Sequence, residues 1–175
     1  MRLLDGQRNS MLSNSIHDND ALGIDLNATG VDAVDNDAAA GAATLANRGI
    51  NYPALSLAQG GARRGNLRTA FVSRNGTYII QAFSGAVCDE SGYGEGRSYV
   101  ASAIATIDNG GSGSNGNVIV DIPLAGSLLT GREFTLVARD LDGNTSEFSH
   151  CTPYLCDTIF AYGLDGASAD SCPAD

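Results

Sequence analysis

Twenty-two glycines, set among abundant Asn and Asp, cut this 175-residue chain into short apolar segments. Gly, Asn and Asp tolerate positive φ and so favour tight turns. A chain punctuated this densely suits a turn-rich β protein. Hydrophobic residues make up 43%, enough for a packed core. Aromatics are only 6% and Trp is absent, so that core must be built mainly from Val, Ile, Leu and Ala. The length accommodates one ordinary domain and a little more. No apolar run approaches the roughly 20 residues that a membrane-spanning helix needs.

From residue 64 to 150 the pattern is that of two packed antiparallel sheets. Residues 53–58 read as a strand, followed by a turn at Gln59-Gly60-Gly61. Residues 67–72 and 77–83 flank Ser73-Arg74-Asn75-Gly76, a hairpin signal centred on Asn-Gly. Residues 98–107 predict a third strand. Val118, Val120 and Ile122 then alternate with Asn117, Ile119 and Asp121, and Phe134, Leu136 and Ala138 alternate with Thr135, Val137 and Arg139. Short alternating strands with turn signals between them point to a sandwich. Residues 38–46 predict two turns of helix, with Asp35 or Asp37 as the cap.

The N-terminal stretch reads differently. Asn9, Asn14 and Asn19 recur every five residues, with short apolar pieces between and after them. Two- or three-residue strands separated by Asn and Gly corners are what a parallel β-helix coil needs, and its corner Asn residues stack on those of the next coil. The division that follows is a coil and acidic connecting loop over residues 1–53, a sandwich over 54–151 and a Cys-containing tail over 152–175. The exposed edge of a lone coil at residues 9–26 predicts pairing with another copy, because unpaired strand groups seek partners.

Charge narrows the partners. Twenty acidic residues face ten basic ones, all Arg, for a net charge of −10. Such a surface repels phosphate backbones and anionic lipid, which argues against nucleic acid and membrane partners. It suits divalent cations, and 16 of the 20 acids are Asp, a short ligand common in calcium loops. The run Asp140-Leu141-Asp142-Gly143-Asn144, with Glu147 three residues on, places oxygen ligands at alternate positions around a Gly turn. The alternative is a turn whose Asp and Asn bond backbone groups. Asp32, Asp35, Asn36 and Asp37 form a second candidate calcium cluster.

The four cysteines, Cys88, Cys151, Cys156 and Cys172, form no CxxC pair, and His17 and His150 are too few for a zinc-finger pattern. An even count in a Gly-rich β chain predicts disulfides and an oxidising compartment. Of three connectivities, Cys88–Cys151 with Cys156–Cys172 is the favoured one. The start, MRLLDGQRNSMLSNS, holds no signal-peptide core, and the expectation is that a targeting segment lies upstream. No G-x-S-x-G elbow accompanies His17 or His150. Glu90 and Glu95, five residues apart, do not indicate glycosidase geometry.

Asn14-Ser15-Ile16-His17-Asp18-Asn19, with Gly23-Ile24-Asp25-Leu26, resembles the closing coil of bacterial right-handed parallel β-helix repeat proteins. In that family an Asp/Asn-rich loop and an Asn-aromatic-Pro segment follow, matched by Asn51-Tyr52-Pro53, and then an immunoglobulin-like module. Two motifs of the module are matched by residues 88–96 and 142–149. The tail Ile159-Phe160-Ala161-Tyr162-Gly163-Leu164-Asp165 resembles a C-terminal motif of secreted proteobacterial proteins, departing from it at Tyr162 and Leu164. The resemblance implies a mainly β chain, a terminal β-helix coil followed by an antiparallel immunoglobulin-like sandwich. It implies a non-enzymatic extracellular or cell-surface accessory and adhesion module, its partners other surface proteins or glycans. The alternative is a fragment of a carbohydrate-active β-helix lyase or hydrolase. A sugar groove needs several coils side by side, which disfavours that alternative.

Overall fold

The computed structural model describes residues 1–27, 29–85, 88–110, 113–126 and 132–156. Two four-stranded sheets form the body of the fold. In chain order the strands are β1 (Arg2–Leu3), β2 (Asp25–Leu26), β3 (Ala54–Gly60), β4 (Arg64–Ser73), β5 (Gly76–Gly85), β6 (Ser98–Ile107), β7 (Gly116–Ala125), β8 (Glu133–Asp140), β9 (Thr152–Pro153) and β10 (Leu155–Cys156). The first sheet runs β10-β3-β4-β7 and the second β6-β5-β8-β9. All neighbours are antiparallel except β10 with β3, which makes the first sheet mixed.

Period-two alternation builds the core between the sheets. Leu67 and Phe71 from β4, with Val120, Ile122 and Leu124 from β7, meet Tyr78, Ile80 and Ala82 from β5 and Phe134, Leu136 and Ala138 from β8. The expected strands at 98–107, 117–122 and 134–139 all form. The expected hairpin at 73–76 does not. β4 pairs with β3 and β7, whereas β5 pairs with β6 and β8, so Arg74-Asn75 carries the chain from one sheet to the other. The inward residues of β4 and β5 face one core from opposite sides. A hairpin would have placed both strands in a single sheet.

The tail also crosses. β9 pairs with β8 in the second sheet and β10 with β3 in the first. Between them Tyr154 is buried, donating its hydroxyl to the Gly61 carbonyl at 2.7 Å. The apolar knot at 159–162 and Cys172 lie outside the described residues.

The expected helix at 38–46 is replaced by two short 3-10 segments, Ala40–Thr44 and Ala46–Gly49, neither with a side-chain cap. Asp37 is drawn away from capping into the interior, where its carboxylate accepts from the Ser73 hydroxyl and the Arg74 amide.

On β5 and β8 the outward residues Gln81, Phe83, Thr135 and Val137 are buried as well. An N-terminal layer covers them. Met11, Ile24 and Leu26 pack with Phe83, Val137 and Phe148, flanked by Leu3 and Ile16. Within the layer β1 and β2 pair in parallel, Arg2 opposite Asp25 and Leu3 opposite Leu26. That single pair of two-residue strands is the parallel ladder the described residues form there.

The loop before β6 is squeezed between this layer and β8. Gly94 donates its amide to the Ser149 carbonyl at 2.9 Å, and Gly96 exchanges two amide bonds with Ile16 at 2.9 and 2.8 Å. A Cβ at Gly96 would stand 2.6 Å from the Phe148 ring, and one at Gly94 would overlap the Thr135 side chain. Close approach, rather than turn geometry, sets glycine at these two positions. Gly94→Ala should therefore cost about 1–3 kcal/mol of stability in urea unfolding, the scale of overpacking. Gly41→Ala, where a Cβ meets nothing within 4 Å, should be near neutral. Equal midpoints for both variants would refute the steric account.

Candidate functional site

Between Gln7 and Asn19 three residues hold left-handed backbone: Arg8 (φ 64), Ser13 (φ 56) and Asp18 (φ 58). Non-glycine residues adopt this region at a cost, so something must hold them there. Each donates its main-chain N–H to a side chain of the sandwich: Arg8 to Asn144 Oδ1 at 2.8 Å, Ser13 to Gln81 Oε1 at 2.8 Å and Asp18 to Glu95 Oε2 at 2.6 Å. The corners fall every five residues, and the recurring Asn9, Asn14 and Asn19 each follow one. The Asn rhythm thus marks a real geometric repeat.

Its Asn9 and Asn19 bond partners outside the rhythm. Asn9 bonds through both its main-chain and side-chain N–H to Asn47 Oδ1, at 2.9 and 3.1 Å, and Asn47 Nδ2 donates to the carbonyls of Asn9 and Thr145. Asn19 gives its amide and side chain to Glu95 Oε1. Met11 adds a bond from its N–H to Thr145 Oγ1 at 3.0 Å.

The C-terminal end of the layer is gripped by Glu147, which is 3% exposed. Its two oxygens accept the N–H of Leu26 at 2.8 Å and of Asp32 at 2.9 Å. Burial pushes the Glu147 carboxyl up to about 7, helped by the nearby charges of Asp32 and Asp25 and opposed by those two N–H groups. Asp32 is also raised, mainly by burial. Both line a cavity of about 280 Å³ with Asp35, Asn51 and Tyr52. Asn51 joins this acidic loop to β4, bonding both the amide and the carbonyl of Asp35 and donating to the Val72 carbonyl at 3.0 Å. The Tyr52 ring packs edge-on to Tyr93 at 5.6 Å, and Tyr93 packs likewise on His150 at 5.5 Å.

The residues read as calcium ligands divide among different tasks. Asp140 accepts from Arg74 Nη2 at 2.7 Å and from the amide and side chain of Asn144, at 2.9 and 2.7 Å. Asp142 is exposed, Asn144 takes the Arg8 amide, and Glu147 turns to Leu26 and Asp32. Asp37 is buried, and its carboxyl is pushed up by that burial. Arg74 Nη1 stands 3.6 Å from it, so one guanidinium spans Asp37 and Asp140. Among the described residues no three His, Cys, Asp or Glu side chains form a group able to hold a metal ion.

The favoured pairing Cys88–Cys151 is present as a disulfide, Cα–Cα 6.2 Å. It fixes the loop that carries Tyr93 and Glu95 against the residues preceding β9. The second pairing involves Cys172, outside the described residues. His17 bonds its neighbour Asp18 at 2.7 Å on the surface, and Asp18 also pairs with Arg97. Sequence reasoning missed Gln81 and Arg74. The visible signal for Gln81 was a polar residue at an outward strand position, indistinguishable from solvent-facing polarity.

No protein-family model matches this chain, and no curated protein sequence matches it. The geometry therefore stands by itself.

The Glu147 carboxyl binds its proton more tightly folded than at its ordinary 4.5. The stability it contributes is complete below that value and is lost as pH rises through about 7. Between about pH 5 and about pH 8, the wild-type urea midpoint should fall more than that of Glu147→Gln. Parallel falls would show that Glu147 does not titrate in this window. Because Arg74 and Asn144 already occupy Asp140, millimolar calcium followed by EDTA should shift the thermal midpoint by no more than about one degree. A rise of several degrees would mean a native-state calcium site.

Proposed function

We propose that this chain is a non-enzymatic end-cap of a right-handed parallel β-helix. In this reading the N-terminal layer is the last coil, and an immunoglobulin-like sandwich closes it. The observation that carries the reading is the set of sandwich side chains that receive main-chain N–H groups of the layer. Asn144, Thr145, Gln81, Glu95 and Glu147 together take those of Arg8, Met11, Ser13, Asp18, Asn19, Leu26 and Asp32. A solenoid end needs such a surface, because its last coil has no following coil to satisfy its backbone or bury its apolar face. The parallel pairing of β1 with β2, one circuit of chain apart, has the spacing of successive rungs.

The two motifs that resemble the family's immunoglobulin-like module supply Glu95 from one and Asn144, Thr145, Glu147 and Phe148 from the other, so their residue types follow from the docking. The Cys88–Cys151 disulfide suits an extracellular or cell-surface setting. Other surface proteins or glycans are the partners such an accessory module would meet there.

The test is to join three further right-handed parallel β coils ahead of Met1. With the cap intact the coils should fold as a soluble monomer and melt cooperatively with the sandwich. Glu95→Ala with Glu147→Ala should abolish that coupling. Coils that melt independently of the sandwich would refute the end-cap reading.

A further inference from the structure

We infer that the outer face of the β6-β5-β8-β9 sheet, with the loop before β6 and the turn after β8, is a main-chain receptor. It recognises the β coil laid over it by the N–H groups at its left-handed corners and accepts coils of different sequence there. The inference deepens the end-cap reading and rests on it.

Three observations carry it. First, the receptor atoms are side-chain oxygens of the sandwich, and the donors at all three corners are backbone amides. Any residue except proline supplies that amide. Second, the corner side chains point to few obligatory partners. Arg8 is exposed, and Asp18 makes only surface pairs with His17 and Arg97, contacts worth little in water. Ser13 shares its hydroxyl with Gln81 Nε2 at 2.9 Å. Third, all three corners are left-handed although none is glycine. Geometry is therefore imposed on these residues from outside, as expected when the receptor dictates the backbone path and tolerates the residue. The apolar contribution comes from Leu3 before the corners, Met11 and Ile16 between them and Ile24 and Leu26 after them. The partner class is thus a coil with a left-handed corner every five residues and a large aliphatic residue, as Met11 and Ile16 are here, between corners.

The experiment uses the full chain in three forms. Arg8→Gly, Ser13→Gly and Asp18→Gly are combined in the first. In the second, residues 7–20 are replaced by an unrelated sequence that keeps Met11, Ile16 and glycine at the three corners. Gln81→Met, which removes one receptor atom from a residue whose side chain, among the described residues, bonds Ser13 alone, is the third. Amide hydrogen exchange at positions 8, 13 and 18 and the thermal midpoint are read for each.

The two corner-substituted forms should keep protected amides at all three positions and melt within about 4 °C of wild type. Gln81→Met should lose protection at Ser13 and melt lower. Loss of corner protection in the glycine or replacement forms, with Gln81→Met behaving as expected, would overturn sequence-independent recognition and leave the end-cap reading standing. Unchanged protection and midpoint in Gln81→Met would remove the receptor, and the end-cap reading would fall with it.

Discussion

The molecule turns on a sheet whose central strands, β5 and β8, are buried on both faces. The β6-β5-β8-β9 sheet gives its inner face to the sandwich core. Its outer face, with Phe83 and Val137, would be an exposed apolar patch without the N-terminal layer. The layer has the converse difficulty, since its irregular backbone leaves amides that no strand can pair. Burial of such groups without partners costs free energy on the scale of a lost hydrogen bond. The solution is reciprocal. The layer covers the sheet, and the sheet and its flanking loops offer the oxygens of Gln81, Glu95, Asn144, Thr145 and Glu147 to the layer.

Using carboxylates for this task has an electrostatic consequence. Glu95 lies at the rim, where water screens it, but Glu147 is buried beside Asp32 and Asp25. Its two amide donors favour the ionised form, while burial and its acidic neighbours favour the neutral one, and the second influence prevails. Asp37 and Asp140 do have a cation, since Arg74 spans them at the point where the chain changes sheets. One buried arginine thus stabilises three segments far apart in sequence: the acidic loop, the β4–β5 crossing and the turn after β8.

The sandwich strands were legible because period-two alternation reports burial on one face, and that held for residues 117–122. The same logic misread the β4–β5 link. Asn-Gly marks a reversal of direction, but only the distribution of inward residues between two sheets decides whether the reversed strand pairs with its predecessor. Outward positions 81, 83, 135 and 137 were equally opaque, since a second buried face removes the polar half of the alternation. The acidic residues suggested calcium because a list of Asp and Asn looks alike whether they converge on an ion or receive backbone amides. Distinguishing the two takes three-dimensional knowledge of Arg74 and of the layer. The Asn rhythm was visible, yet its meaning lay one residue earlier, at Arg8, Ser13 and Asp18, and of these only Asp18 is a residue type that tolerates left-handed backbone.

The disulfide has a mechanical consequence. Cys88 and Cys151 close a covalent loop spanning 63 residues that holds β6, β7 and β8, strands drawn from both sheets. A force applied along the chain through positions on either side of that loop passes through the sulfur bridge and bypasses everything within it. At full extension the hidden contour is roughly 200 Å, from about 3.3 Å per residue. The tethered chain can lengthen only through its outer segments, so a molecule anchored at one end and pulled at the other yields its N-terminal layer and β3–β5 while β6, β7 and β8 bear no direct tension.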